Sequence, residues 1–329
     1  GRFKIQTDQY RISLRVSIIP TFDGEKMVIR ILNEKNQLLT LEQLGLLPEA
    51  LDIVKRSIKK PHGMILATGP TGSGKTSTLY SILNVLNTPE DNSSTIEDPI
   101  EYRMEHINQS QVNPKIGFTF ANGLRSFLRQ DPDIIMVGEI RDHETAEIAI
   151  HAATTGHLVL STLHTNDAIG SIPRLLDMKV GPFMAASTLT MIIGQRLVRK
   201  ICIKCIESYA IDKKQLLELG KLFNIKHIME VLAKQKAIAN SNQKFEKLLF
   251  YRGKGCKICN NSGYKGRIGI YEILEVTQEI RNLISHHATS EELVKTITQN
   301  GMIFMAEDGF IKAKNGITTL EEIVRVSSE

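Results

Sequence analysis

The run Gly69-Pro70-Thr71-Gly72-Ser73-Gly74-Lys75-Thr76, with Ser77 behind it, satisfies the pattern G-x-x-x-x-G-K-[ST] at every position. Each residue type has a physical task there. The glycines let backbone N–H groups converge on phosphates at a helix N-terminus. Lys75 opposes phosphate charge, and the Thr76 hydroxyl is placed to bind Mg²⁺. A buried-strand pattern at 64–67 precedes the run and a helical pattern at 77–85 follows it, which argues against a chance glycine turn. The chemistry implied is the handling of a nucleoside triphosphate, ATP with Mg²⁺.

Other groups could serve the same phosphates. The apolar run 133–137 leads through Gly138 to Glu139, a carboxylate at a strand end suited to polarising an attacking water. Many P-loop enzymes carry an Asp before that Glu; Gly138 stands there instead. A second strand, 94–96, runs into Glu97, Asp98 and Glu101, three carboxylates suited to placing Mg²⁺ and water or, alternatively, a surface acidic turn. His157 and His164 flank a third strand. An odd separation along a strand puts side chains on opposite faces, so a shared metal is not expected. His164, at the C-terminal end, could sense a γ-phosphate, whereas His157 suits a structural hydrogen bond. Arg15 and Arg30 lie on N-terminal strands; Arg125 and Arg129 are expected on one helix face, with Arg141 nearby. Any of them could neutralise charge on a transferring phosphoryl group, or make surface salt bridges.

All four cysteines fall in two C-x-x-C pairs, Cys202/Cys205 and Cys256/Cys259. This is the spacing of a structural Zn²⁺ site with four thiolates and no open position for catalysis. The long segment between the pairs is rich in lysine over 213–247, with helical apolar spacing at Leu216, Leu219, Leu222, Ile228 and Leu232. A solvated amphipathic helix pair and a docking surface for an acidic partner both fit that pattern.

The elements that must position these groups follow an α/β rhythm. Alternating residues at 10–18, a turn at Asp23-Gly24 and a return strand at 26–32 make residues 1–33 the end of a β-rich N-terminal domain. Residues 34–40 read as a linker, and 41–329 as the main domain with a subdomain at 200–262 around the cysteines. From Gly63 apolar strands at 64–67, 94–96, 134–137 and 158–162 alternate with helices at 144–153 and 168–176, the pattern of a parallel sheet covered on both faces. Beyond Gly194 a mostly helical region is expected, ending in helices near 280–284 and 291–299. No apolar run is long enough to span a membrane, which suggests a cytosolic protein. A net charge of +5 over 329 residues, with no Trp, gives no footprint for nucleic acid.

Taken in order, these motifs resemble the type IV pilus assembly and type II secretion ATPase family. The carrying residues are 69–76, the acidic box 95–102, Gly138-Glu139-Ile140-Arg141-Asp142, the histidine box 155–167, both Cys pairs, 263–272, Glu307-Asp308-Gly309 and 316–322, with Arg15 and Arg30 at the start. The resemblance implies a RecA-like P-loop ATPase domain preceded by the remnant of a PAS-like domain, six subunits in a ring, and ATP between those two domains. It implies that Lys75, Glu139, Glu97 and His164 form the catalytic site and that Arg15, Arg30, Arg125 and Arg129 approach the nucleotide. It also implies an inner-membrane platform protein as partner, with the motor cytoplasmic and peripheral to that membrane. Assembly and secretion motors tend to carry the Cys pairs, and retraction motors lack them. A RecA-like nucleic-acid motor and a nucleotide-binding scaffold without turnover are the competing readings.

Overall fold

The computed structural model describes residues 1–7, 11–33 and 38–327. Three antiparallel strands open the chain: β1 (Arg2–Gln6), β2 (Arg11–Thr21) and β3 (Gly24–Asn33). Thr21 pairs with Gly24, so the two-residue turn is Phe22-Asp23, one position earlier than expected, and Gly24 takes φ +129°. Register sorts the faces of this sheet. Phe3, Leu14, Val16, Ile18, Met27, Ile29 and Ile31 share one side, while Arg15 stands directly opposite Arg30 on the other. Of the expected linker, residues 34–37 lie outside the described residues, and 38–40 have no regular structure.

The main body is a seven-stranded sheet in the order β12-β9-β4-β8-β7-β5-β6. Its strands are β4 (Gly63–Thr68), β5 (Ser93–Glu97), β6 (Asn108–Gln111), β7 (Ile134–Val137), β8 (Leu158–Leu163), β9 (Leu189–Ile201) and β12 (Tyr264–Glu275). Every neighbouring pair is parallel except β12 with β9. Alternation divides the core. Met64, Leu66, Ile135, Val137, Val159 and Leu163 face one layer, packed with α3 (Phe120–Phe127), α4 (His143–Thr154), α5 (Ser171–Asp177) and α6 (Pro182–Thr188). Ile65, Ala67, Ile134, Met136, Leu158 and Leu160 face the other, under α1 (Pro48–Ser57) and α2 (Lys75–Leu86). Burial on both faces is why these strands read as apolar runs.

The region beyond Gly194 is not mostly helical. It contains the last part of β9, the hairpin-like pair β10 (Ile206–Ala210) and β11 (Leu249–Gly253), and the long β12. Two helices, α11 (Met305–Lys314) and α12 (Leu320–Ser327), follow α9 (Gln278–Ser285) and α10 (Ser290–Gln299). A strand buried on both faces lacks the alternation that marks a half-buried one, and short apolar runs do not distinguish strand from helix. Between the Cys pairs, α7 (Lys213–Leu222) and α8 (Ile225–Lys234) bury Leu219, Ile228, Met229 and Leu232 against Phe245, Phe250 and Phe310. Among the described residues no helix is long and apolar enough to cross a membrane.

One ion cluster ties the last helix to the sheet. Glu322 of α12 accepts from Arg199 Nε at 2.9 Å, Arg199 Nη2 at 2.7 Å and the Arg199 backbone N–H at 2.7 Å, and also from Arg325. Burial would raise its pKa, but the hydrogen bonds from Arg325 and Arg199 outweigh it and hold the carboxyl at about 2. A carboxyl depressed below its ordinary 4.5 stabilises the fold above that value and loses the contribution as pH falls toward 2. Glu322→Gln should therefore cost about 1–2 kcal/mol at pH 7, after discounting for solvent screening at the half-exposed arginines. In urea unfolding the gap to wild type should narrow steadily below about pH 4.5; a gap that stays constant with pH would show that the charge is not what matters.

Candidate functional site: a glycine-rich loop at the C-terminal ends of the parallel strands and a four-thiol cluster

The glycine-rich loop lies between the end of β4 and the start of α2. Gly69, Gly72 and Gly74 take φ of +140°, +83° and +93°, a region L side chains rarely adopt, so the pattern's glycines are conformationally required. Gly69 is also crowded: a Cβ there would sit 2.4 Å from the Gln195 carbonyl oxygen. Thr71, Gly72, Thr76 and Ser77 are exposed, whereas Ser73 and Lys75 are buried. Lys75 Nζ donates to the carbonyls of Gly69 at 2.6 Å and Pro70 at 3.1 Å. Burial lowers its proton affinity, and the charge of Glu139 partly restores it.

Four of the expected site residues sit at the C-terminal ends of adjacent parallel strands, where α/β sheets bind ligands. Lys75 follows β4, His164 follows β8, Glu139 follows β7 and Glu97 ends β5. Glu139 is held from two sides: Arg141 Nη2 donates to one oxygen at 2.7 Å, and His164 Nε2 to the other at 3.1 Å. The peptide carrying it is fixed as well, since Gly138 N–H donates to the Ile96 carbonyl at 2.8 Å and Thr162 Oγ1 to the Gly138 carbonyl at 2.8 Å. The same tight passage accounts for glycine at 138. A Cβ there would lie 3.2 Å from the Ile96 carbonyl oxygen and 3.3 Å from Glu97 Cα, which leaves little room for an aspartate.

The acidic box does not form one cluster. Glu97 is 2% exposed and turned inward, where Thr95 Oγ1 donates to it at 2.6 Å, Gln109 Nε2 at 3.3 Å, and the Tyr80 hydroxyl also donates. Desolvation raises its pKa, against these three hydrogen bonds. Asp98 points the opposite way, into a cleft of about 480 Å³ lined also by Arg15, Ser17, Pro99 and Gln111. Arg15 thus lines a cleft shared with the residues at the ends of β5 and β6, with Arg30 beside it in the strand ladder. Like charges placed directly across a strand pair repel, so this face favours an anion. Arg125 instead pairs with Glu144 at 2.8 Å and Asn122 at 3.2 Å, bracing α3 against α4. Arg129 lies beyond the end of α3 rather than on one helix face with Arg125. His157 is structural: its Nδ1–H donates to the Ala152 carbonyl at 2.9 Å. Thr68, which sequence reading passed over, joins the β4 end to the histidine box by donating to the Thr165 carbonyl at 3.0 Å and accepting from Thr165 N–H at 3.2 Å. Only its place at the end of the strand before the loop could have drawn attention to it.

The four cysteines form a second centre. Their sulfurs all lie within 4.8 Å of one another, with separations of 3.9 Å (Cys202–Cys256), 3.8 Å (Cys205–Cys259) and 3.6 Å (Cys256–Cys259). These are far longer than a disulfide of about 2.05 Å. They match the edge of a thiolate tetrahedron, about 3.8 Å for metal–sulfur bonds near 2.3 Å. Backbone contacts hold the pairs together: Cys202 N–H donates to the Gly263 carbonyl and Lys254 N–H to the Cys205 carbonyl, both at 2.9 Å. Gly253 and Gly263 touch so closely that a Cβ on Gly253 would meet the Gly263 carbonyl oxygen at 2.1 Å. Four thiols so placed could hold one metal ion.

The sequence profile described as Type II/IV secretion system protein matches residues 1–325. The chain belongs to that family. Curated members of this secretion family include the type II secretion system ATPase E of Vibrio cholerae serotype O1, 45% identical over all of this chain and 61% of its own length. The type IV pilus assembly ATPase PilB of Acinetobacter baylyi is 46% identical over all of this chain and 54% of its own. The chain thus spans a little over half the length of these relatives. Among solved structures, that of the pilus retraction motor PilT with bound ADP is similar at a TM-score of 0.66 and 28% identity, covering 100% of this chain and 78% of that one. The ATPase DotB of Legionella pneumophila shares the fold at a TM-score of 0.67 and 21% identity, covering 76% of its chain.

Proposed function

We propose that this protein is an ATP-hydrolysing motor, working as a homohexamer, that drives type IV pilus assembly from the cytoplasmic side of the inner membrane through a platform protein. The observation that carries the reading is Glu139, held by Arg141 and His164 beside the Lys75 loop. The residues fit a Mg²⁺–nucleotide: three glycines at positive φ, a buried Lys75 and an exposed Thr76 hydroxyl at the first turn of α2. Lys75 exchanges its two carbonyl acceptors for phosphate oxygens. Glu139 accepts a proton from the attacking water, while Arg141 and His164 fix both carboxylate oxygens so that the base approaches from one direction. Thr76 would be the side-chain ligand of a Mg²⁺ ion, which when bound would neutralise charge at the phosphates. Glu97 supports the site from behind through Tyr80 rather than touching the nucleotide. Arg15 and Arg30 meet the phosphates from the small N-terminal sheet; Arg125 and Arg129, in this reading, approach the nucleotide from the main domain, Arg125 giving up its pairing with Glu144 to do so. Phosphate-release measurements on the full-length protein, with and without single-stranded DNA, test it: turnover independent of DNA is expected, and DNA stimulation would transfer the protein to the nucleic-acid motors.

In the same reading residues 1–33 belong to a PAS-like domain, 41–329 form the RecA-like domain, and 200–262 form a subdomain organised by Zn²⁺ on the four cysteines. The alternative, a type II secretion motor, is favoured by the 45% identity to secretion ATPase E, close to the 46% for the pilus protein. Deleting the gene separates them: loss of surface pili supports the first, and loss of an exported folded enzyme with pili intact supports the second.

The lysine-rich insert is the proposed docking face for an acidic segment of the platform protein. Lys213, Lys214, Lys221, Lys226, Lys234 and Lys236 are all exposed on or near α7 and α8, and none has an ion-pair partner among the described residues. Positive charge there speeds encounter more than it tightens a complex. Reversing these six to Glu should leave basal ATP hydrolysis within about twofold and reduce pilus number several-fold at physiological salt. Normal piliation would show the helices to be a solvated face only.

A further inference from the structure

Gln195 is a polar residue with no exposure, in the middle of the apolar β9. β9 runs parallel to β4 with Gly194 opposite Thr68, so Gln195 comes level with Gly69, where the phosphate loop begins. Both ends of the loop rest on it. Its carbonyl oxygen occupies the space a Cβ on Gly69 would need, at 2.4 Å, and its Nε2 lies 3.1 Å from where a Cβ on Gly74 would be. That Nε2 donates to the Ser73 carbonyl at 2.8 Å.

We propose that Gln195 is a positioning residue that aims the Gly74 N–H at a nucleotide phosphate by holding the opposite end of the same peptide unit. In a planar trans peptide the C=O and the following N–H point in opposite directions. Anchoring the Ser73 carbonyl on β9 therefore turns the Gly74 N–H away from β9, toward the concave side of the loop. Among the described residues that N–H has no acceptor, as a phosphate-binding donor requires. The amide contributes at a cost that a packing residue would avoid. Gln195 Oε1 and Ser73 Oγ are both buried without a hydrogen-bond partner, and a Met or Leu at 195 would fill the volume with no orphaned oxygen on that side chain. A residue serving only the core has no reason to be glutamine here.

The inference rests on the nucleotide reading of the loop, and the experiment separates the two. In the full-length protein, ADP binding is measured by calorimetry for wild type, Gln195→Met and Gln195→Asn, alongside ATPase kinetics and melting without nucleotide. Met keeps the length and removes the donor; Asn keeps the amide but withdraws it by one methylene. Both should raise the ADP Kd and the ATP KM about tenfold, the worth of one hydrogen bond, and kcat should change by less than about threefold because the contact is made before and during reaction. The melting temperature of the nucleotide-free Met variant should be unchanged or higher. Wild-type ADP affinity in either folded variant overturns the assignment, as does a fall in melting temperature with affinity preserved. Should Met not fold, the Asn variant decides alone. A wild-type protein that binds no ADP overturns the nucleotide reading instead.

Discussion

Glu139→Gln should bind ADP and ATP within about twofold of wild type and yet release phosphate 10²- to 10⁴-fold more slowly, the range lost with a general base. The structure gives the reason for separating binding from turnover. In the proposed reading phosphate is held by Lys75 and the glycine-rich loop, while Glu139 stands at the end of β7 and is held by Arg141 and His164. A glutamine keeps the volume and still accepts from one of these partners, so the fold should tolerate it, but its amide cannot take a proton from water. Lys75→Ala gives the contrasting signature. It removes the charge opposing the phosphates, so affinity and turnover should fall together. One secondary effect is expected from the present geometry: the charge of Glu139 supports the protonated form of Lys75 against its burial. Glu139→Gln should therefore lower the Lys75 pKa further and move the alkaline limit of ADP binding to lower pH. A Glu139→Gln protein that hydrolyses ATP at the wild-type rate would remove the residue from the base role. One that loses binding as fully as Lys75→Ala would make Glu139 part of the loop's own support.

What could be read in the sequence was what is local in the chain. The phosphate loop is eight consecutive residues between a strand and a helix, and its backbone angles follow from its glycines. The Cys pairs likewise needed only their spacing. Relations that depend on which strands are neighbours could not be read. His164 meets Glu139 because β8 lies beside β7, and nothing in either motif records that adjacency. Glu97 and Asp98 looked like one acidic group, but consecutive residues at a strand end point to opposite sides, one into the core and one into the cleft. Arg129 was placed on a helix that ends before it. The late strands were missed because β9 is buried for most of its length, so its hydrophobicity does not alternate, and β12 starts with exposed, charged residues. Gln195 stood in view throughout as the first polar side chain after an apolar run, and only the position of β9 next to β4 gives it a purpose.

Protein purified without chelator should contain about one zinc per chain, and Cys202→Ser or Cys256→Ser should release it and lower the melting temperature by about 10 °C. The two positions come from different pairs and are 3.9 Å apart, so either loss breaks the tetrahedron along a shared edge. The fall should be large because the thiols close a long excursion of the chain. β10, α7, α8 and β11 all lie between the pairs, and their apolar core includes Phe245, Phe250 and, from α11, Phe310. That core should limit the damage: α7 and α8 keep their packing, so local loosening around β10, β11 and the β9–β12 ends is expected rather than global unfolding. Hydrogen exchange resolves the two cases, with faster exchange confined to residues near 199–210 and 249–267 in the serine variants. ATP hydrolysis should change little, since Cys202 follows the far end of β9, eight residues beyond Gly194, which pairs with the last residue of β4. Elemental analysis finding no metal, together with an unchanged melting temperature on chelation, would leave the four thiols as a cluster held by its backbone contacts alone. A serine variant with zinc lost, exchange unchanged and hydrolysis abolished would mean instead that the cluster acts on the glycine-rich loop through β9, which runs from beside that loop to Cys202.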